Sequence, residues 1–231
     1  MTPDPVGRAR RRAWRTWYAT RWRLWQQRQQ GRVRIRRVDG LDVVVLPGLL
    51  DPAWFLSSDV LVDAIGALVR PGDRVLDLGS GTGIGALAAL RAGARRVVAT
   101  DVDPVAFRCI RATLAIADAA ERVAVRHGDL FEPLDDECFD LIAFNPPWLT
   151  GSVTGLETAT RLDPGLPARL AGGLAAHLAP NGRVALILST HGRPDAWLDP
   201  LRAAGCSVDA LLERDRGSEV ITAWQVRPPG V

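Results

Sequence analysis

Three positions in this chain carry side chains whose types and spacing could do chemistry together. Asp77 stands immediately before a glycine-rich turn, within the stretch VLDLGSGTGI at 75–84. Asp101 ends the next apolar run, about twenty residues on. Asn145 follows the apolar run at 139–144 and opens the sequence Asn145-Pro146-Pro147-Trp148. Gly79, Gly81 and Gly83 lie where a strand must turn sharply and where a ligand can approach bare backbone. An acidic residue at the spacing of Asp101 is suited to gripping two ribose hydroxyls. Together these features describe a nucleotide-like ligand site, with a turn that only packs helix on strand as the bland alternative.

Asp77 narrows the ligand. A carboxylate beside the first glycine would repel a pyrophosphate and attract a cation. S-adenosylmethionine is cationic at sulfur and at its amino group and carries no phosphate, so it suits this turn. The rival is a nicotinamide cofactor, because Gly81-x-Gly83-x-x-Ala86 satisfies the loose dinucleotide fingerprint.

Asn145 and Pro146 each precede a proline, which biases both toward extended backbone, and neither proline can donate a hydrogen bond. A stiff bracket results, with the Asn145 side-chain oxygen and the Pro146 carbonyl as acceptors. Two such acceptors suit an NH2 group. Its lone pair is withdrawn by conjugation, and holding both N–H bonds can aim that pair at an electrophile. Trp148 offers a π face to a planar substrate and to positive charge developing on nitrogen. The catalytic set expected here is therefore Asn145, Pro146 and Trp148, acting by positioning and electrostatics. A proline-stiffened strand exit with Trp148 in the core is the plain alternative.

Positioning these residues requires an alternating α/β chain. From Arg70 onward, strands are expected at 74–78, 96–100, 122–126, 140–144 and 183–188, and helices to about Ala92 and at 104–119, 167–178 and 194–204. Pro180-Asn181-Gly182 should end the third of these helices. Two last strands, at 206–212 and 220–226, are joined by a link too short for a crossover helix, so they should form an antiparallel hairpin at the sheet edge. The expected fold is α/β: a doubly wound, mostly parallel seven-stranded sheet. Upstream, 32–38 and 41–46 alternate in period two around Asp39-Gly40 and predict a hairpin. Asp51-Pro52 should open a helix running to about Leu68.

The chain has 231 residues, 47% of them hydrophobic, enough for one domain with a modest extension. No apolar run is long enough to cross a bilayer, and the first residues lack a secretory h-region. Cys109, Cys138 and Cys206 are widely spaced, which fits reduced thiols and a cytoplasmic location. His127, His177 and His191 show no ligand spacing, so no metal site is expected; His191, near the end of the strand at 183–188, could reach the crevice, with a surface role as the first reading. GxSxG and HExxH are absent, and a P-loop is ruled out because all 29 basic residues are Arg.

The arginines are unevenly placed. Residues 1–37 hold twelve Arg and one acid, a net +11, whereas 38–231 hold 17 Arg against 25 acids, a net −8. Residues 8–30 read as a helix on which Trp14, Trp17, Tyr18, Trp22 and Trp25 form one stripe. Packing of that stripe on the chain's own domain is the first reading. Contact with RNA or the ribosome is the second, and an acidic lipid surface the third. The organisation expected is a basic, Trp-rich helix and hairpin over 1–48, followed by a catalytic domain over 49–231.

VLDLGSGTG, VVATDVDP, GDLFEPL and FDLIAFNPPW, in this order, resemble the class I S-adenosylmethionine-dependent methyltransferases. The branch most resembled is the NPPY type, which includes release-factor glutamine methyltransferases and nucleic-acid amino-methyltransferases. The resemblance implies that Gly79, Gly81 and Gly83 line the methionine part of the cofactor. It also implies that Asp101 binds ribose and that Val102 flanks adenine. Asp129, followed by Leu130, would accept from the adenine amine, and Asn145 would face both substrate and methyl group. Ser58, in LSSDVLVDAI, occupies the place of a cofactor-side Thr. Trp148 replaces the usual Tyr, the helical domain that precedes the catalytic domain of the release-factor enzymes has no counterpart in these residues, and 149–163 is shorter than the matching segment. The expected activity is methyl transfer from S-adenosylmethionine to a planar amide or amino nitrogen, of a protein glutamine or a nucleic-acid base. A small-molecule N- or O-methyltransferase of secondary metabolism is the alternative.

Overall fold

A computed structural model of the chain describes residues 31–147, 163–215, 217 and 219–229. The Trp-striped helix expected over 8–30 and the Trp148 side chain lie outside the described residues.

Strands β1 (Arg34–Val38) and β2 (Leu41–Val45) pair as an antiparallel hairpin. Its turn residues Asp39 and Gly40 have φ of +47° and +77°. Two successive positive φ values match the right-handed twist of the flanking strands, which is why Asp-Gly suits this position. The hairpin docks through β2. The Val44 N–H donates to Thr113 Oγ1 at 2.9 Å, and the Cys109 thiol donates to Val44 O at 2.9 Å.

The helix expected from Asp51-Pro52 is divided in two. Pro52–Trp54 forms a 3-10 turn capped by Asp51, and α1 (Leu56–Leu68) follows after an extended Phe55. Asp51 is fully buried, with Oδ2 accepting from Arg36 Nε at 2.7 Å and Oδ1 from the Ala53 N–H at 3.2 Å. That double engagement fixes the break just before α1, so the N-terminal turn of α1 arrives at a set place over the sheet.

Next come β3 (Arg74–Leu78), α2 (Ile84–Arg91), β4 (Arg96–Asp101), α3 (Pro104–Ile116), β5 (Val123–His127) and β6 (Phe139–Phe144). The chain continues as α4 (Leu166–His177), β7 (Leu178–Ser189), α5 (Pro194–Ala203), β8 (Ser207–Asp215) and β9 (Val220–Arg227). α3 starts where its sequence says it should: Asp103 accepts the Val105 N–H at 2.8 Å, and Pro104 occupies the first helical position.

The seven-stranded sheet has the order β5-β4-β3-β6-β7-β9-β8. Neighbours are parallel from β5 to β7; β9 is antiparallel to both β7 and β8. The doubly wound expectation and the antiparallel edge hairpin both hold. One boundary differs. Pro180-Asn181-Gly182 does not separate helix from strand but lies inside β7, where the register shifts between the Phe139–Leu178 and Leu141–Arg183 pairs. Asn181 takes φ of +62°, so the turn residues bulge the strand instead of ending it.

Each sheet face is covered by helices. One core gathers side chains of α1, α2 and α3, including Ile65, Ala86 and Ile110, against β3, β4 and β6. The other packs α4 and α5 through Leu170, Leu174, Trp197 and Leu201. Midway along β7, just after the bulge, buried Arg183 ties the far end of α1 to the sheet. Its Nη2 is 2.5 Å from Asp73 Oδ2, and its Nε donates to Leu68 O at 3.1 Å. With one end of α1 anchored there, the other end lies at the carboxyl edge of the sheet.

Candidate active site

The strand order reverses between β3 and β6, and the crevice at such a switch point is where open α/β sheets bind ligands. A cavity of about 350 Å³ opens there. Of the sequence-predicted residues, Asp77, Gly79, Gly81, Asp101, Val102, Asp129, Leu130 and Asn145 line it. Gly83, Pro146 and Ser58 do not line it.

The turn is stitched to the neighbouring strand. Ser80 Oγ donates to Asp77 O at 2.6 Å, and the Ser80 N–H donates to Thr100 O at 2.9 Å. Gly79 and Gly81 have φ of +65° and +54°. A Cβ on Gly79 would stand 3.2 Å from the Phe144 ring, whereas one on Gly81 would meet open space. Gly83 does different work: at φ +82° it starts α2, and a Cβ there would press on Ile110 of α3.

Asp77 is 2% exposed. Its Oδ2 accepts the Ala86 N–H at 2.8 Å, in the first turn of α2. Burial pushes its carboxyl up to about 7, against the pull of that N–H. The packing is close enough that a Cβ on Gly85 would overlap the carboxylate. Asp101 spans the turn: Oδ2 accepts the Gly81 N–H at 2.8 Å and Oδ1 the Asp103 N–H at 2.9 Å. Burial raises its carboxyl as well, opposed by those two N–H groups. Each oxygen retains a lone pair for a ligand hydroxyl. Val102 beside it is 49% exposed, an apolar surface available to a flat ring.

At the far end of the crevice, Asp129 Oδ2 is 2.5 Å from Arg169 Nη1, and Arg169 Nη2 is 2.9 Å from Asp163 Oδ2. Arg169 comes from α4, forty residues after Asp129, and no local pattern in the sequence announces the pairing.

Asn145 marks the other side. Its Nδ2 donates to Ser57 Oγ at 3.1 Å, and its Oδ1 is buried without a hydrogen-bond partner among the described residues. Ser57 sits in the first turn of α1, one residue before the Ser58 singled out from the sequence. Ser58 is buried, with its N–H donating to Phe55 O. Within the proline pair, Pro146 is buried and Pro147 forms part of the cavity wall. His191 is not at the surface as expected. Its side chain is 6% exposed and its Nδ1 lies 3.3 Å from Glu219 Oε1, at the end of β7.

The lining fits S-adenosylmethionine. It carries five carboxylates (Asp77, Asp101, Asp103, Asp129, Asp163) and one guanidinium, a field that favours a cation and opposes a pyrophosphate. Bare backbone at Gly79 and Gly81, a carboxylate for two hydroxyls and an apolar shelf at Val102 match its methionine, ribose and adenine parts. Among the described residues, no group of His, Cys, Asp or Glu is arranged to hold a metal, and no helix is long and apolar enough to cross a membrane.

This sheet order, with a glycine turn between acidic residues at the carboxyl ends of β3 and β4, defines a class I S-adenosylmethionine-dependent methyltransferase domain. Residues 55–199 match the model of the methyltransferase small domain family, and the chain belongs to that family. The chain is 38% identical over 146 residues to a ribosomal protein L11 methyltransferase of Chromohalobacter salexigens, covering 62% of this chain and 42% of that protein. It is 33% identical over 135 residues to a tRNA1(Val) (adenine(37)-N6)-methyltransferase of Porphyromonas gingivalis, covering 54% and 52%. The chain thus spans about half the length, or less, of these curated relatives. Among solved structures, a Thermus thermophilus 16S rRNA N2 G1207 methyltransferase in complex with AdoMet and guanosine superposes with a TM-score of 0.61 at 24% identity. That match covers 85% of this chain and 50% of the other. A ribosomal protein L11 methylase from Lactobacillus delbrueckii subsp. bulgaricus gives 0.56 at 22% identity, covering 74% and 78%.

Proposed function

We propose that this chain transfers the methyl group of S-adenosylmethionine to a planar amino or amide nitrogen, with a nucleobase amino group in RNA as the acceptor. The observation that carries this reading is Asn145. With Nδ2 held by Ser57, its Oδ1 is a buried acceptor with no donor among the described residues. An acceptor left in that state costs about 1–3 kcal/mol, which an arriving N–H would recover.

Asp101 would hold the ribose hydroxyls, Asp129 the adenine amine, Val102 the adenine face and Asp77 the positive charge, with Gly79 and Gly81 against the methionine chain. When bound, S-adenosylmethionine supplies an electrophilic methyl group on a sulfonium. Asn145 Oδ1 accepts one N–H of the acceptor, holds the nitrogen in place and aims its lone pair; Pro146, buried behind the cavity wall, stiffens the backbone that carries Asn145. The attacking nitrogen is neutral, so no base is required before transfer, and the proton released afterwards can pass to water. Trp148, as Trp in place of Tyr, separates this chain from the release-factor branch its motif resembles.

Support for an RNA acceptor comes from the net +11 over residues 1–37, which suits phosphate contacts. Two of the similar proteins are a tRNA adenine-N6 and an rRNA guanine-N2 methyltransferase by name. The L11 methyltransferases are the counterweight, and a protein amide or amine is the second reading they favour. Free thiols at Cys109, Cys138 and Cys206 accord with a cytoplasmic setting. Incubating the full chain with methyl-labelled donor and separate tRNA, rRNA and ribosomal-protein fractions tests the assignment. Label in an exocyclic N-methyl nucleoside is expected. Label confined to protein would replace the RNA acceptor with the second reading, and label on carbon or oxygen alone would overturn nitrogen transfer.

A further inference from the structure

We infer that Arg169 is a positioning residue that orients Asp129 and thereby sets the preference for a 6-amino purine in the cofactor. This rests on the S-adenosylmethionine reading of the site and extends it to a residue on another element.

Asp129 stands on a loop, not on a strand, and a lone carboxylate there could rotate among several rotamers. Two features remove that freedom. The loop backbone is set on both sides of Asp129. A Cβ on Gly128 would fall 2.8 Å from Pro133 Cδ, and Leu130 takes φ of +48°, a left-handed conformation uncommon for a leucine. The carboxylate is then held from across the crevice, with Oδ2 2.5 Å from Arg169 Nη1.

The guanidinium is fixed in its turn. Its second nitrogen, Nη2, is 2.9 Å from Asp163 Oδ2, so the planar fork is gripped at both ends. Asp163 is itself ordered by the Gly165 N–H, which donates to its Oδ1 at 2.9 Å. The chain Gly165–Asp163–Arg169–Asp129 therefore runs from the start of α4 to the adenine end of the cavity, and Asp129, Asp163 and Arg169 all line it. One Asp129 oxygen is committed to arginine and the other, Oδ1, is left as an acceptor. That oxygen accepts a hydrogen bond from an exocyclic amine and faces a 6-oxo purine as acceptor against acceptor. Fixing Asp129 converts a general negative charge into a discriminating group.

The test is calorimetric titration of the full chain with S-adenosylhomocysteine and with S-inosylhomocysteine, in which oxygen replaces the 6-amino group. Wild type is expected to favour the amine by about tenfold or more, the weight of one hydrogen bond to a charged group. Arg169→Gln should weaken S-adenosylhomocysteine by about five- to tenfold and leave S-inosylhomocysteine nearly unchanged, so the preference collapses. Arg169→Lys, which retains charge without the fork, should fall between. Equal losses for both ligands, or an undiminished preference in Arg169→Gln, would overturn the inference. Failure of wild type to bind S-adenosylhomocysteine is a separate result, visible before any variant is made, and it would remove the cofactor reading underneath.

Discussion

The Nδ2 of Asn145 donates to Ser57 Oγ at 3.1 Å, joining the end of β6 to the first turn of α1 across 88 positions of chain. The bond decides which end of the amide is committed and which remains an acceptor. α1 thus orients the residue proposed to hold the substrate nitrogen, as well as covering the sheet.

Removing that hydroxyl should loosen the amide without touching the cofactor. Ser57→Ala is expected to lower methyl transfer about three- to tenfold, in keeping with the loss of one neutral hydrogen bond. Asn145→Ala should lose roughly 10²–10³, the scale of a missing preorganised polar group. Both should bind S-adenosylhomocysteine within about threefold of wild type. Parallel loss of cofactor affinity in Ser57→Ala would show that the bond serves the cofactor and not the acceptor.

Close packing around Asp77 makes Gly85 a sensitive position. A Cβ there would overlap the buried carboxylate, which is pinned to the Ala86 N–H at 2.8 Å and cannot withdraw. Gly85→Ala should cost about 1–3 kcal/mol and lower Tm by roughly 3–10 °C. By contrast, Gly172→Ala, where a Cβ meets none of the described residues within 4 Å, should leave Tm unchanged or slightly raised. Equal melting of Gly85→Ala and wild type would mean that Asp77 has room to move.

Asp77 also gives stability a pH dependence. Its carboxyl titrates near 7 in the folded protein, against an ordinary value of 3.8. Between those values the native state holds a proton that the unfolded chain has released, so this group makes stability fall as pH rises. The slope is at most about 1.4 kcal/mol per pH unit, and it levels off above the folded value. Asp101, raised in the same direction, adds to the trend. Thermal melts from pH 5 to 8 should therefore show a shallower slope in Asp77→Asn than in wild type, with the variant gaining most at the alkaline end. Identical slopes would contradict the burial of a titrating carboxyl at this position.

Much of this was legible in the chain because local signals and the global fold agree. Period-two and apolar runs placed the strands, Pro104 opened the helix expected there, and Asp39-Gly40 turned the hairpin. A short link between the last two strands required the antiparallel edge. The glycine turn and Asp101 placed the crevice because a doubly wound sheet allows only one switch point between β3 and β6. What could not be read were relationships set by tertiary contact. Ser57 and Ser58 are adjacent and alike, and only the helical phase of α1 over the sheet decides which meets Asn145. Arg169 reaches Asp129 from another element. Pro180-Asn181-Gly182 carries true turn chemistry, yet pairing on either side absorbs it as a bulge in β7. His191 reads as a surface histidine until Glu219, just before β9, arrives beside it.

The most direct test of the site as a whole is calorimetric titration of wild type and Asp101→Ala with S-adenosylhomocysteine, with NADH as control. In wild type, Asp101 accepts the Gly81 and Asp103 N–H groups and leaves lone pairs for two hydroxyls. Its removal should disturb both the turn and the proposed ribose contact. Saturable one-site binding to wild type, no NADH binding, and at least about tenfold weaker S-adenosylhomocysteine affinity in Asp101→Ala are predicted. Unchanged affinity in the variant, or tighter binding of NADH than of S-adenosylhomocysteine, would contradict the site described.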